Sequence, residues 1–321
     1  MNFIHRDPEF ADLLRIVARD SGLSTALVEK DYWVTHTLWA LHESRLEVWF
    51  KGGTSLSKGF GLIQRFSEDL DLKIEPGKIS SLPVVTNWKS EGPTAIANRT
   101  AFFGALETHL EISDARVEVD RDQADSAARS AMFRVYYPGE FLPELHAVLR
   151  PFVLLEVGSA RVTPFVLRPL LSFVHEWLEA HDQSSGWQDN RPRSVRCVHP
   201  MVTLLEKLDA ISRRYPRPAL EPAAFIRHYE DVAHIISSRE SLPELEGGIA
   251  ALEQEMLAQR QIGAPISLDD PAFTLADSAR RQALERAWLA ISPMFWGERI
   301  SLEQCCEVTR AWVQALRGEQ S

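Results

Sequence analysis

The chain has 321 residues, 45% hydrophobic and 25% charged, with a formal net charge of −10. This describes a soluble globular chain with room for one large or two modest domains, and the acidic balance excludes a general nucleic-acid coat, which needs a basic excess to displace counterions. Cys197, Cys305 and Cys306 lack C-x-x-C spacing, so neither a zinc site nor a disulfide framework is indicated and a reducing cytoplasm is expected, with no leader and no run of membrane-spanning length.

Along the chain, Asp7 and Pro8 open a predicted helix that runs to Asp20 and stops at Gly22, and Ser24 caps a second helix to about Ser44. Within that second helix Glu29-Lys30-Asp31-Tyr32 interrupts the apolar pattern of Leu27, Val34, Leu38 and Leu41, and Lys30 and Asp31 read as solvated charges. Residues 46–51 form a strand that turns through Gly52 and Gly53 into a short helix over 57–64 and re-emerges as a strand carrying Asp69 and Asp71. A strand period of two puts both acids on one face, where they can share a divalent cation. Gly52 and Gly53 allow backbone N–H groups to approach an anion, and the Thr54 and Ser55 hydroxyls stand at a helix start that favours phosphate. Lys58 could reach that phosphate or simply snorkel to the surface. Phosphate on one side and metal on the other is what metal-assisted phosphoryl or nucleotidyl transfer requires.

Residues 76–93 are rich in Gly, Pro and Ser and read as a loop, 99–112 as a helix, and 115–120, 132–137 and 151–157 as strands. The last places Glu156 in an apolar run, where it needs a cation: a metal shared with Asp69 and Asp71, or an arginine such as Arg134 or Arg161. Helices then dominate. One over 170–180 precedes a polar loop over 182–194. In the helix starting at Pro200, Leu204, Leu205, Leu208 and Ile211 form the buried stripe and Lys207 lies on its border, from which it can cover the core edge with its aliphatic stem or hold a triphosphate as a point charge. A helix over 222–238 sets Arg227, Asp231 and His234 on one face, and three further helices with Trp288, Trp296 and Trp312 fill a helical core over 242–318. Arginines cluster at Arg191, Arg193 and Arg196 and at Arg213, Arg214 and Arg217, flanking the Lys207 helix, where they are expected to line a groove for an acceptor.

K-G-G-T-S-L at 51–56 and R-F-S-E-D-L-D-L at 65–72 resemble the G-G-[ST]…D-x-[DE] signature of polymerase-beta-like nucleotidyltransferases, and more narrowly the AbiEii/AbiGii (MenT-like) type IV toxin family. The fifteen-residue spacer from Thr54 to Glu68 exceeds that of compact superfamily members and suits the toxin family. E-K-D-Y-W at 29–33, H-P-x-x-T-L-x-E-K-L-D-A at 199–210 and R-H-Y-E-D at 227–231 resemble its other motifs. The resemblance implies an α+β fold, a mixed sheet bearing Asp69, Asp71 and Glu156 over 1–169, followed by a helical lobe over 170–321, with nucleotide in a cleft between them. It implies Mg²⁺ or Mn²⁺ on the three acids, NTP phosphates on Gly52, Gly53, Thr54, Ser55 and Lys58, catalytic roles for Lys207 and Asp231, and a support role for Lys30. It also implies an RNA acceptor such as the tRNA 3′ end, and an antitoxin that need not bind directly. Transfer to a small molecule, a kinase-like reaction in which the Ser67 hydroxyl takes phosphate, and a non-catalytic nucleotide-binding module stay open as alternatives.

Overall fold

The computed structural model of the chain describes residues 1–67, 69–123, 125–145 and 149–318; Glu68, the last residue of the spacer, lies outside them. The chain divides into two compact units. The first comprises Met1–Gly59, Ser67–Val162 and Leu167–Cys197; the second comprises Phe60–Phe66, Thr163–Val166 and the chain from Val198 onward.

A mixed seven-stranded sheet lies mostly in the first unit: β1 (Glu47–Lys51), β2 (Asp69–Glu75), β3 (Arg116–Val119), β4 (Ser130–Tyr136), β5 (Val153–Gly158), β6 (Phe165–Arg168) and β7 (Val195–Val198). The order is β3-β4-β5-β2-β1-β7-β6, and helices surround it in an α+β arrangement. Alternation explains how β2 sits. Leu70, Leu72 and Ile74 are buried on one face, so Asp69, Asp71, Lys73 and Glu75 must take the other. β2 runs antiparallel to β1 and parallel to β5.

Helix α1 (Phe10–Ser21) starts three residues later than its Asp7–Pro8 signal, because a short 3₁₀ turn, Ile4–Arg6, comes first; Gly22, in the left-handed region at φ 71°, ends it as expected. Helix α2 (Thr25–Glu43) starts where the sequence places it, with the Ser24 hydroxyl accepting from Leu27 N–H at 3.3 Å. Its charged run is a correction to the expectation of solvated charges: Glu29, Lys30 and Asp31 are buried. The helix is buried on nearly every side, so no face was left for solvated charges, and each acid or base instead ties down another segment. Glu29 accepts from the Glu140 and Phe141 backbone N–H groups at 2.8 and 3.0 Å, Lys30 donates to the Arg150 carbonyl, and Asp31 accepts from Phe173 N–H at 2.9 Å. Tyr32 belongs to a buried polar network in which Asn190 donates to the Tyr32 hydroxyl at 2.9 Å and bonds to His36 and His175, each at 2.9 Å.

The helix expected over 57–64 is also corrected. The helical turn begins at the glycines themselves, α3 (Gly52–Thr54) passing into a π-turn over Ser55–Gly59, and the chain after it is irregular. Residues 64–66 pair instead within the second unit: Arg65 bridges Phe295 antiparallel, Phe66 N–H donates to Met294 O at 2.7 Å and Trp296 N–H to Gln64 O at 3.0 Å. The loop over 76–92 carries no helix or strand, and α4 (Pro93–His109) starts six residues before the position expected, with Pro93 in its first turn. Helix α5 (Phe173–Ala180) is capped by Ser172. Strand β6 was not anticipated.

The second unit is helical: α6 (Pro200–Arg214), α7 (Arg227–Ser237), α8 (Gly248–Ala258), α9 (Pro271–Thr274), α10 (Ser278–Ala290) and α11 (Leu302–Gly318). Trp288 and Trp312 are buried in its core, whereas Trp296 is half-buried. Among the described residues no helix is long and apolar enough to cross a membrane.

Candidate functional site

In the first unit the acids of the signature come together through strand register. Asp71 lies directly opposite Lys51 on β1 and Glu156 on β5, and Asp69 lies two residues up the same face. Directly paired residues share a sheet face, so Lys51, Asp71 and Glu156 form one row across three strands. Glu156 is half-buried rather than enclosed, so the cost of burying it is smaller than its apolar run suggests. Of the arginines expected to compete for it, Arg134 is held by Asp120 at 2.7 Å.

The glycine turn is built onto this row. Gly52 adopts φ +75°, and a Cβ added there would stand 1.6 Å from Asp71 Oδ2, so only glycine lets the turn close against the acid. Thr54 is buried, and its hydroxyl sits 2.9 Å from the Ser67 carbonyl and 2.7 Å from the Asp69 carbonyl, pinning the turn to the start of β2. Ser55 and Ser67 are buried too. Lys58 has its ammonium 2.5 Å from Asp31 Oδ1, with both side chains almost wholly enclosed. Of the two positions the sequence allowed for Lys58, beside a phosphate or at the surface, the second is corrected, since the side chain is enclosed against Asp31.

Two basic residues add to this picture. Lys30 holds the Arg150 carbonyl, and the Arg150 guanidinium reaches Asp69 Oδ1 at 3.1 Å. Arg150 escaped the sequence reading because it stands alone before the strand, with no motif around it. Among the described residues no three His, Cys, Asp or Glu side chains are gathered closely enough to hold a metal ion. The donors that share the face are nonetheless all carboxylate oxygens, the hard ligands that suit Mg²⁺ or Mn²⁺.

In the second unit, α6 and α7 bring Lys207 and Asp231 together. Lys207 Nζ is 2.8 Å from Asp231 Oδ2, and Arg65 clasps the same carboxylate with Nε on Oδ1 and Nη2 on Oδ2, both at 2.8 Å. Although burial opposes ionisation, Arg65 and Lys207 hold the Asp231 carboxyl well below the usual range. Burial pulls Lys207 down from its ordinary value while Asp231 pulls it back. His228 Nδ1 lies 3.1 Å from Lys207 Nζ; burial and the lysine charge push this imidazole down to about 3, so it is neutral and accepts from the ammonium. His234 is elsewhere, 4.0 Å from Glu230.

Most of the arginines expected to line an acceptor groove have acidic neighbours. Asp189 takes Arg191 at 2.6 Å and also Arg193, while Arg196 lies over the Trp49 ring at 4.9 Å and 3.6 Å from Glu47. Arg213 pairs with Asp209 at 2.6 Å. Among the described residues Arg214 has no such partner: it donates to the Ala224 carbonyl at 2.9 Å and stands among Arg213, Arg217 and Arg227.

A strand–glycine turn–strand unit with carboxylates facing its turn, in a mixed sheet accompanied by helices, is the fold of a nucleotidyltransferase domain. The family described as "Nucleotidyl transferase AbiEii toxin, Type IV TA system" matches residues 37–314, and the chain belongs to it. No curated protein matches. Among solved structures, JHP933 from Helicobacter pylori is similar at 15% identity over 93% of this chain and 99% of that one, with a TM-score of 0.37, too low to carry any argument. Membership makes the protein a nucleotidyltransferase toxin of a type IV toxin–antitoxin system, with an NTP substrate and a cognate antitoxin.

Proposed function

We propose that the protein transfers a nucleotide from NTP to an RNA acceptor such as the tRNA 3′ end, releasing pyrophosphate. The observation that supports the transfer chemistry is the closure of Gly52 against Asp71, itself paired with Glu156, which joins the phosphate-approach turn and the acids in one structural unit, while the RNA acceptor rests on the resemblance of the motifs alone. The backbone N–H groups of Gly52 and Gly53 hold phosphate oxygens, with Ser55 beside them; the buried Thr54 hydroxyl fixes the turn, and Ser67 lends its carbonyl to that bond. Asp69, Asp71 and Glu156 would have to draw closer together than they stand here to hold a divalent cation, which supplies charge neutralisation at the attacking and leaving oxygens when bound. Arg150 competes with that cation for Asp69. Lys207 offers its ammonium to phosphate charge, and Asp231 orients it. An acceptor hydroxyl then displaces pyrophosphate from the α-phosphorus, its proton passing to solvent or to a carboxylate of the row.

The test is incubation with each of four α-labelled nucleotides, Mg²⁺ and total RNA. Label is expected in RNA with one nucleotide preferred. Label in a small molecule or protein, with none in RNA, would sink the acceptor assignment, and transfer of γ-label to protein would turn the reading toward a kinase.

A further inference from the structure

The spacer between the glycine turn and Asp69 is longer than a turn needs, and it does not stay with the sheet. Phe60–Phe66 belongs to the second unit, and its Arg65, 1% exposed, places a two-pronged guanidinium on both oxygens of Asp231. Nothing in the nucleotidyl-transfer chemistry calls for a second cation there, since Lys207 alone would satisfy the carboxylate. The geometry shows what the fork does. By taking both Asp231 oxygens it fixes the plane of the carboxylate, so that Oδ2 meets Lys207 Nζ from one direction at 2.8 Å. A carboxylate shared between two cations neutralises neither fully. Lys207 therefore keeps charge to offer elsewhere.

The lysine's own bonds fit this. An ammonium has three N–H donors. Asp231 takes one and the neutral His228 Nδ1 takes a second, at 3.1 Å, leaving the third without a partner among the described residues. We propose that Arg65 is a positioning residue: acting through Asp231, it holds Lys207 with one N–H directed to a phosphate oxygen of the nucleotide and prevents Asp231 from cancelling the ammonium charge. This rests on the reading of Lys207 as a phosphate ligand given above. It assigns a use to the long spacer, which delivers one arginine of the signature strand's approach to the helix pair that carries the lysine.

The experiment compares kcat and KM for NTP, with melting temperature, in wild type, Arg65→Met, Arg65→Lys, Arg65→Met/Asp231→Asn and Lys207→Met, all assayed well below their melting temperatures. Arg65→Met should lose about 100-fold in kcat/KM, mostly in kcat, because Asp231 then closes on Lys207 alone. Arg65→Lys, which keeps the charge without the fork, should lose about 10-fold. The double variant removes the carboxylate that closes on Lys207 but leaves that ammonium buried without its counterion, so it should melt below Arg65→Met, while its folded fraction should recover at least about 10-fold over Arg65→Met. A purely structural pair would lower the melting temperature and leave kcat and KM of the folded fraction unchanged, and that result in Arg65→Met or in Arg65→Lys overturns the proposal. Equal activity of the double variant and Arg65→Met overturns it as well. If Lys207→Met turns over like wild type, the underlying assignment of Lys207 fails, whatever Arg65 does.

Discussion

Asp71 occupies the space that any side chain at position 52 would need: the Oδ2 atom lies 1.6 Å from the place of a Gly52 Cβ. The acid and the glycine are thus one feature, although eighteen residues separate them in the chain. Gly52→Ala should push Asp71 out of its row and also strain the backbone, because φ +75° is costly for alanine. We expect turnover to fall at least about 100-fold with the fold retained, checked by steady-state kinetics beside circular dichroism. Alanine at 52 with wild-type turnover would show that the contact has no bearing on the chemistry.

Replacing the acids tests the cation. Asp71→Asn and Asp69→Asn should each abolish transfer and weaken Mn²⁺ binding measured by titration calorimetry, while melting temperature holds or rises because like charges on one face are relieved. Arg150→Gln, which removes the competitor at Asp69, should tighten Mn²⁺ binding. Unchanged Mn²⁺ affinity in all three variants would place the cation elsewhere.

Lys207 and Asp231 are paired, yet their removal should differ. Without Lys207 the carboxylate keeps Arg65, so Lys207→Met should fold and lose activity. Without Asp231 two cations stay buried with their shared counterion gone, and Asp231→Ala should lose roughly 3–5 kcal/mol of stability. Urea unfolding of the two variants measures the contrast. Equal midpoints would mean that burial of this cluster is less complete than its 1% exposure indicates.

Acid should unfold the first unit through its histidines. Burial pushes His36 and His175 down to about 4, with Asp114 and Asp189 opposing and His5, Lys58 and Arg191 reinforcing. Against about 6.5 in the unfolded chain, the unfolded state binds the extra protons between these values, so stability is complete above pH 6.5 and lost as pH falls toward 4. The two groups together are worth up to about 7 kcal/mol. His175→Asn should flatten that slope in denaturation curves taken from pH 7 to 4, and an unaltered slope would remove His175 from the account.

The alternation of Leu70, Leu72 and Ile74 with Asp69, Asp71 and Lys73 made the strand and its acidic face legible, and the cap at Ser24 and the proline at 200 made two helices legible. Charges were harder. Lys30, Asp31 and Lys58 read as surface or phosphate groups because a sequence displays a charge without its counterion; here the partners lie 27 residues or more away, as Lys58 does from Asp31. Arg65 and Asp231 are 166 residues apart and belong to different motifs, so no local spacing could couple them. The arginines at 191–196 show the same limit at short range, since Asp189 beside them is shared by Arg191 and Arg193.

The return of Phe60–Phe66 to the helical unit bears on how the chain can be divided. A fragment starting at Val198 would leave the Phe295 backbone without its bridge to Arg65 and Asp231 without its guanidinium, so it should be obtained as a poorly folded, aggregation-prone species. Adding a synthetic peptide spanning residues 60–66 in trans should restore it, making that short stretch a complementing segment and a handle for assembling the protein from pieces.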